Sequence, residues 1–273
     1  MAAEPYPLPV LAGVDGSGAA LHAARWAAGE AALRKTSLRL VHARHPVPSR
    51  YESAAREPGR LWLREAAEAA RASAPGVSIW CDLQSGEPAT KMIEESASAC
   101  LTVVGAWGIG KTGGSFIGLV ARAVAAGAAG PSVIVRGADF VSAPPYTGPV
   151  VVGVDDGPDG LAALDFAARA ASSRGRPLVA VRVWDRAEEA ERALLERCVS
   201  GLATGDVRPV LVRAQHTAKG VLAEADHACL VVVGSRRRRL RGRTILGCTS
   251  HGVLDNAQCP VAVVPVSRCA PGA

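Results

Sequence analysis

The chain contains itself twice. The stretch PVLAGVDGSGAALHAARWAAGEA from Pro9 returns as PVVVGVDDGPDGLAALDFAARAA from Pro149, so Asp15 and Asp155 lie 140 positions apart. Further on, CLTVVGAW from Cys100 returns as CLVVVGSR from Cys229, and GPSVIVR from Gly130 as CPVAVVP from Cys259. Gly105 and Gly234, like Gly118 and Gly247, are offset by 129, so the second copy is 11 residues shorter in its middle while its ends keep register. Each copy must bury a core of its own at a length of roughly 130 residues, an ordinary domain size. The expected division is a first domain over 1–137, a linker over 138–147 marked by Pro144 and Pro145, and a second domain over 148–273.

Each copy alternates strand and helix. In the first, Val10 to Val14 is a short apolar run bounded by Pro and Asp-Gly, the pattern of a buried parallel strand. Ala19 to Lys35 carries apolar residues at helical spacing behind Ser17, a natural N-cap. Leu38 to Ala43 reads as a strand, Leu61 to Ala72 as a helix, Val77 to Leu83 as a strand and Pro88 to Ala99 as a helix. Leu101 to Gly105, Phe116 to Ala126 and Ser132 to Arg136 then supply strand, helix and strand. This order predicts two tandem α/β domains, doubly wound and Rossmann-like. Each has a five-stranded, mainly parallel sheet with helices on both faces. Ligands of such sheets bind beyond the carboxyl ends of the strands, where the strand order reverses. Asp15 and the glycine loop after Val104 meet there, as do Asp155 and the loop after Val233.

Composition narrows the class. Of 273 residues 49% are hydrophobic and 21% charged, which is globular and excludes disordered and fibrous chains. Aromatics make up 4%, so Ala, Val and Leu must fill the cores. No apolar run reaches the ~18 residues of a membrane span, and MAAEPYPLPVLAGVD has no basic leader region. Seven cysteines without a CxxC spacing read as reduced thiols of a cytoplasmic protein. Cys248, His251 and Cys259 supply only three of the four ligands a structural zinc needs, and they read as packing residues. The net charge of +6 includes a run at Arg236 to Arg239 with Arg241 and Arg243, a solvated loop or an anion contact. It lacks the interleaved aromatics that stacked nucleic acid requires, so nucleic acid is the weaker reading.

The first glycine loop, GAWGIGKTGGSFIG, admits two motifs. Gly105-x4-Gly110-Lys111-Thr112 satisfies a Walker A pattern, which implies a P-loop NTPase or kinase. Against it, Gly113 and Gly114 are poor openers of the helix that must follow. The second copy, GSRRRRLRGRTILG, also has no Gly-Lys-Thr. The alternative spacing is Gly105-x2-Gly108-x9-Gly118, which opens a helix N-terminus to an anion.

With GVDGS after the first strand, GEPA at Gly86 and GPSVIVR at the end, this spacing resembles the universal stress protein family in its tandem form. The resemblance covers roughly 8–136 and 148–266. It implies ATP, with Mg2+ accompanying it, held by an Asp after the first strand and a small residue ending the second. Carried over, the first copy offers Val14, Asp15, Ala43, Gly105, Gly108 and Gly118. It departs at Leu119 and Ala121, where the family has hydroxyl residues. The second copy offers Asp155, Val183, Gly234, Gly247, Thr249 and Ser250, with Arg237 in place of the middle glycine and Cys248 in place of a hydroxyl.

The resemblance implies an ATP-binding stress-response protein that acts through ligand-dependent contacts with protein partners. It is not a dedicated catalyst, and any ATP hydrolysis is slow and incidental. The second reading is an interaction module of the same fold that no longer binds nucleotide. His42 lies within a strand, is replaced by Arg182 in the second copy, and reads as a core residue. The resemblance also implies that the final strands, Val133 to Arg136 and Val261 to Pro265, pair across a pseudo-twofold axis, making one chain an intramolecular pseudo-dimer. Homodimers of whole chains are compatible with it. An isolated fragment of residues 1–137 should then dimerise or aggregate. A monomeric, folded fragment in size-exclusion chromatography with light scattering would overturn this.

Overall fold

The computed structural model describes residues 7–108, 117–136, 146–185, 188–202, 206–235, 238–240 and 243–266. They fall into two compact units, Met1–Ala143 and Pro144–Ala273. Unit 1 runs β1 (Val10–Gly13), α1 (Gly18–Leu33), β2 (Leu38–Arg44), α2 (Glu52–Ser73), β3 (Ile79–Ser85), α3 (Pro88–Glu95), β4 (Leu101–Gly105), α4 (Leu119–Gly127) and β5 (Ser132–Val135). Its strands lie in the order β3-β2-β1-β4-β5, and every pairing is parallel. Unit 2 runs β6 (Val150–Gly153), α5 (Pro158–Arg174), β7 (Leu178–Trp184), α6 (Glu188–Ser200), β8 (Val207–Arg213), α7 (Thr217–Ala223) and β9 (Leu230–Gly234). A hairpin of β10 (Arg238–Leu240) and β11 (Arg243–Ile245) follows, then α8 (Cys248–Asn256) and β12 (Val261–Val264). Its sheet repeats the order as β12-β9-β6-β7-β8, again all parallel.

The core is made as the composition demands. Val10, Leu11 and Ala12 of β1 are fully buried, as are Leu38, Leu40, Leu101 and Val103 on its two neighbours. Central strands covered on both faces read as continuous apolar runs for this reason. Against them α1 lays a stripe of alanines, Ala19, Ala20, Ala23, Ala24, Ala27, Ala28 and Ala31, all buried. Their single methyls let the helix axis approach the sheet closely. Ser17 caps α1 as expected, its Oγ accepting from the Ala20 N–H at 3.1 Å.

Some boundaries differ from the sequence reading. The helix expected over Leu61 to Ala72 begins at Glu52 and passes through Pro58. Pro58 is exposed, and it removes one N–H from the helix ladder without a side chain being forced into the core. The strand expected from Val77 begins at Ile79, because Val77 closes a turn onto the Ala74 carbonyl. The helix expected over Pro88 to Ala99 ends at Glu95 in a 3-10 turn, Ser96–Ser98. The helix expected from Phe116 begins at Leu119, with Gly118 as its N-cap. Phe116 itself, Lys111 and Thr112 of the Walker pattern, and Arg237 lie outside the described residues. The β10–β11 hairpin was not foreseen within the arginine run.

At the edge of unit 1, Arg39 bridges β2 to β3 and α3, with Nε 2.5 Å from Asp82 and Nη1 2.6 Å from Glu95. Burial pushes the Glu95 carboxyl up, but the Gln84 amide and the Arg39 guanidinium outweigh it and hold it below the usual carboxylate range. A carboxyl depressed in the folded state adds stability above its unfolded value of 4.5, and that stability is lost as pH falls through the folded value. Glu95→Gln should therefore cost on the order of 1 kcal/mol at pH 7 and less at pH 3. Urea melts at the two pH values check this, and an equal loss at both would contradict it.

Candidate functional site

A cleft of about 380 Å³ opens in unit 1 at the carboxyl ends of β1 and β4, on the α3 and α4 side of the sheet. The alternation of β2 turns Val41 and Ala43 into it, and Met92 closes it from α3. All six residues carried over to the first copy line it: Val14, Asp15, Ala43, Gly105, Gly108 and Gly118. Three loops from distant parts of the chain therefore meet at one place. The walls are largely aliphatic, with Trp107 at the β4 end.

Asp15 serves the turn and the cleft together. Its Oδ1 accepts from the Ser17 N–H at 3.0 Å and the Ser17 hydroxyl at 2.6 Å, so one oxygen shapes the entry to α1. The other oxygen, Oδ2, faces Gly108, where a Cβ would lie 2.6 Å from it. Gly108 thus makes room for a carboxylate at the cleft wall.

The three glycines have different reasons. A Cβ on Gly105 would lie 2.7 Å from the Ala19 carbonyl carbon and 2.9 Å from the Ala20 nitrogen, so this glycine admits the backbone of α1. The sequence reading assigned it to phosphate approach; packing of helix on strand already demands it. Gly118 differs. A Cβ there would meet nothing nearer than the Ala106 carbonyl oxygen at 3.4 Å, which is ordinary contact. Its bareness leaves the N-terminus of α4 open, with orphan N–H groups at the end of the cleft. The first turn of α4 carries Leu119, 87% exposed, and Ala121, buried, so no hydroxyl at these two positions supplements those N–H groups.

Unit 2 places its candidate residues in matching positions, with a bulkier side chain at one and an already bonded hydroxyl at another. Asp155 Oδ1 accepts from the Gly157 N–H at 3.0 Å, repeating the turn. Gly234 admits α5, with a Cβ only 2.6 Å from the Asp159 carbonyl oxygen. Val183, where unit 1 has Ala43, packs onto α7: a Cβ on Gly220 would lie 2.6 Å from Val183 Cγ2. Gly247 is the N-cap of α8, and Thr249 lies half-buried in its first turn. Ser250 is buried and its hydroxyl donates to the Gly234 carbonyl at 2.7 Å, tying α8 to the end of β9. That hydroxyl is spent inside the protein.

His42 is buried as a core residue, with Nδ1 2.7 Å from the Val14 carbonyl oxygen. The sequence reading missed what this contact does, and the signal was available in the Arg182 that replaces it. None of Cys81, Cys100, Cys198, Cys229, Cys248 and Cys259 is in a disulfide. Among the described residues no three His, Cys, Asp or Glu side chains stand close enough to share a metal ion, and no helix is long and apolar enough to cross a membrane.

The chain resembles known proteins over nearly its whole length. A universal stress protein of Mycolicibacterium smegmatis is 32% identical over 284 residues, 93% of this chain and 96% of that one. One from Mycobacterium tuberculosis is 30% identical over 285 residues, 94% of this chain and 96% of that one. The crystal structure of a universal stress protein from Archaeoglobus fulgidus superposes with a TM-score of 0.75 at 20% identity, covering 94% of this chain and 98% of that one, which establishes the likeness of fold. The profile of the universal stress protein family matches twice, over residues 8–136 and 147–265, and the chain belongs to that family as a tandem member.

Proposed function

We infer that unit 1 binds an adenine nucleotide, ATP being the ligand the family resemblance implies, and that the chain is a cytoplasmic regulatory protein of the stress response. The observation that carries this reading is the convergence of Val14, Asp15, Ala43, Gly105, Gly108 and Gly118 on one cleft. Its residues fit the ligand's parts. The aliphatic walls at Val41, Ala43 and Met92 suit a base, the Asp15 Oδ2 suits an amino or hydroxyl donor, and the bared N-terminus of α4 suits a phosphate. Mg2+ would be carried on the nucleotide's phosphates. The described lining holds no nucleophile with a base and an orienting partner, which supports a binding role over a catalytic one.

Isothermal titration of the full chain with ATP and with AMP at high micromolar protein concentration tests this. One nucleotide per chain is expected, since unit 2 has Val183 where unit 1 has Ala43 and its Ser250 hydroxyl is already bonded to the Gly234 carbonyl. The absence of heat with both ligands would favour the second reading, a module that has lost nucleotide binding, for which the exposed Leu119 speaks. Magnesium-dependent turnover abolished by Lys111→Ala would instead support the P-loop alternative.

A further inference from the structure

The loop that joins the first strand to the first helix is gripped from behind in both units, by different chemistry. In unit 1 the side chain of His42 lies on the face of β2 opposite Val41 and Ala43, away from the cleft. Its Nδ1 is 2.7 Å from the Val14 carbonyl oxygen, and because a carbonyl only accepts, that nitrogen carries the proton. Trp62 on α2 meets the imidazole edge to face, with centroids 5.1 Å apart and planes at 78°. The same indole covers Gly16, which has φ of +83° and whose Cβ would lie 2.5 Å from the ring. Gly59, a poor residue for the interior of α2, is needed because a Cβ there would lie 2.5 Å from His42 Cδ2. Three residues, His42, Trp62 and Gly59, thus form one clamp on Val14 and Gly16, the two neighbours of Asp15.

In unit 2 the aligned positions hold Arg182 for His42 and Asp156 for Gly16. The Arg182 Nη1 donates to the Val154 carbonyl at 3.2 Å, its Nε donates to Glu191 at 2.6 Å, and Asp156 stands 3.9 Å from Nη1. The gripped atom is the same in both units, the carbonyl of the valine before the aspartate. The gripping groups all changed together, from aromatic to ionic.

We propose that His42 and Arg182 are positioning residues, which hold the loop so that Asp15 and Asp155 keep one orientation. In unit 1 this orients the ligand-facing carboxylate, a consequence that rests on the nucleotide reading above. The reporters are the Ser17 and Gly157 amides, each bonded at 3.0 Å to the aspartate of its own loop. Hydrogen exchange is measured on the full chain by NMR. His42→Leu, which removes the donor, should speed exchange at Ser17 roughly five- to tenfold, the equivalent of one lost hydrogen bond, with β4 amides unchanged. His42→Asn, whose amide donates from nearly the same place, should restore protection at Ser17 even where it lowers Tm as much as leucine does. Gly59→Ala, which pushes the imidazole from behind, should reproduce the leucine effect. Raising NaCl to 1 M should speed exchange at Gly157 and leave Ser17 unmoved, because only the unit 2 grip is ionic. Should His42→Leu not fold, Arg182→Leu read at Gly157 decides the same question.

Unchanged exchange at Ser17 and Gly157 in these variants overturns the proposal, as does equal acceleration by leucine and asparagine. ATP titration of His42→Leu and His42→Asn separates the two readings. Wild-type protein that binds neither ATP nor AMP removes the nucleotide reading while the exchange result still decides the clamp. Wild-type binding that weakens roughly tenfold in His42→Leu and recovers in His42→Asn supports both.

Discussion

Gly105→Val is expected to destabilise unit 1 strongly rather than merely empty its cleft. The new side chain would be forced into the Ala19 and Ala20 backbone, where even a Cβ lies 2.7 Å from the carbonyl carbon. Backbone at the N-terminus of a helix cannot swing aside as a side chain can. The helix must lift, and it carries with it the seven buried alanines that seat it on the sheet. Overpacking into a yielding core costs about 1–3 kcal/mol, and a rigid neighbour places this substitution at or above the top of that range. Gly234→Val should act alike in unit 2 through the Asp159 carbonyl. Urea melts followed by far-ultraviolet circular dichroism would show it. A loss below about 1 kcal/mol would mean that the strand end and the helix are less closely seated than these distances say. Gly118→Ala is the informative contrast, since its Cβ meets only ordinary contacts. It should cost less than about 1 kcal/mol, the loss of a glycine N-cap, while weakening nucleotide binding.

The second large effect concerns the other end of the cleft. On the proposed nucleotide reading, Ala43→Phe should abolish adenine-nucleotide binding, by at least about a hundredfold, because the ring would fill part of the cleft beside its aliphatic wall. The residue lies one place before the end of β2 and lines the cleft, so the ring enters open space and Tm should fall little. Unit 2 has already taken a smaller step in this direction with Val183 against Gly220. Titration with ATP alongside a thermal melt checks both halves, and wild-type affinity in a folded Ala43→Phe protein would place the ligand elsewhere.

Much of the fold was readable from periodicity because the strands are short, fully buried and repeated. Leu101 to Gly105 appears with the expected bounds, and Ser17 caps α1. Errors fall where local chemistry and tertiary contact disagree. The expected helix starts only at Leu61, yet α2 begins at Glu52 and runs through Pro58, which is exposed, while Leu63, Ala66, Ala67 and Ala70 hold the helix to the core. The helix expected from Phe116 starts three residues later, at Leu119, because Gly118 is its N-cap and the buried Ile117 packs ahead of it. The candidate site was readable as a set of positions and less so as a set of reasons. Gly105, Gly108 and Gly118 look alike in a spacing, although one admits a helix, one a carboxylate and one leaves a helix end open. Ser250 reads as a ligand hydroxyl until the Gly234 carbonyl is seen to take it. Only three-dimensional neighbours distinguish these cases.

The placement of the indoles has a spectroscopic consequence. Of the five tryptophans, Trp26, Trp62, Trp80 and Trp107 belong to the first unit and Trp184 to the second. Trp107 lines the cleft and Trp62 lies on the loop that carries Asp15. Intrinsic emission therefore reports on the first unit almost alone, and a ligand entering beside Trp107 changes the polarity around its ring directly. Trp184 provides the internal reference: Arg213 sits over its ring at 5.5 Å, within the second unit. Replacing Trp107 by phenylalanine should silence the ligand-induced change while leaving the ligand bound, which makes occupancy of the first cleft visible without a label.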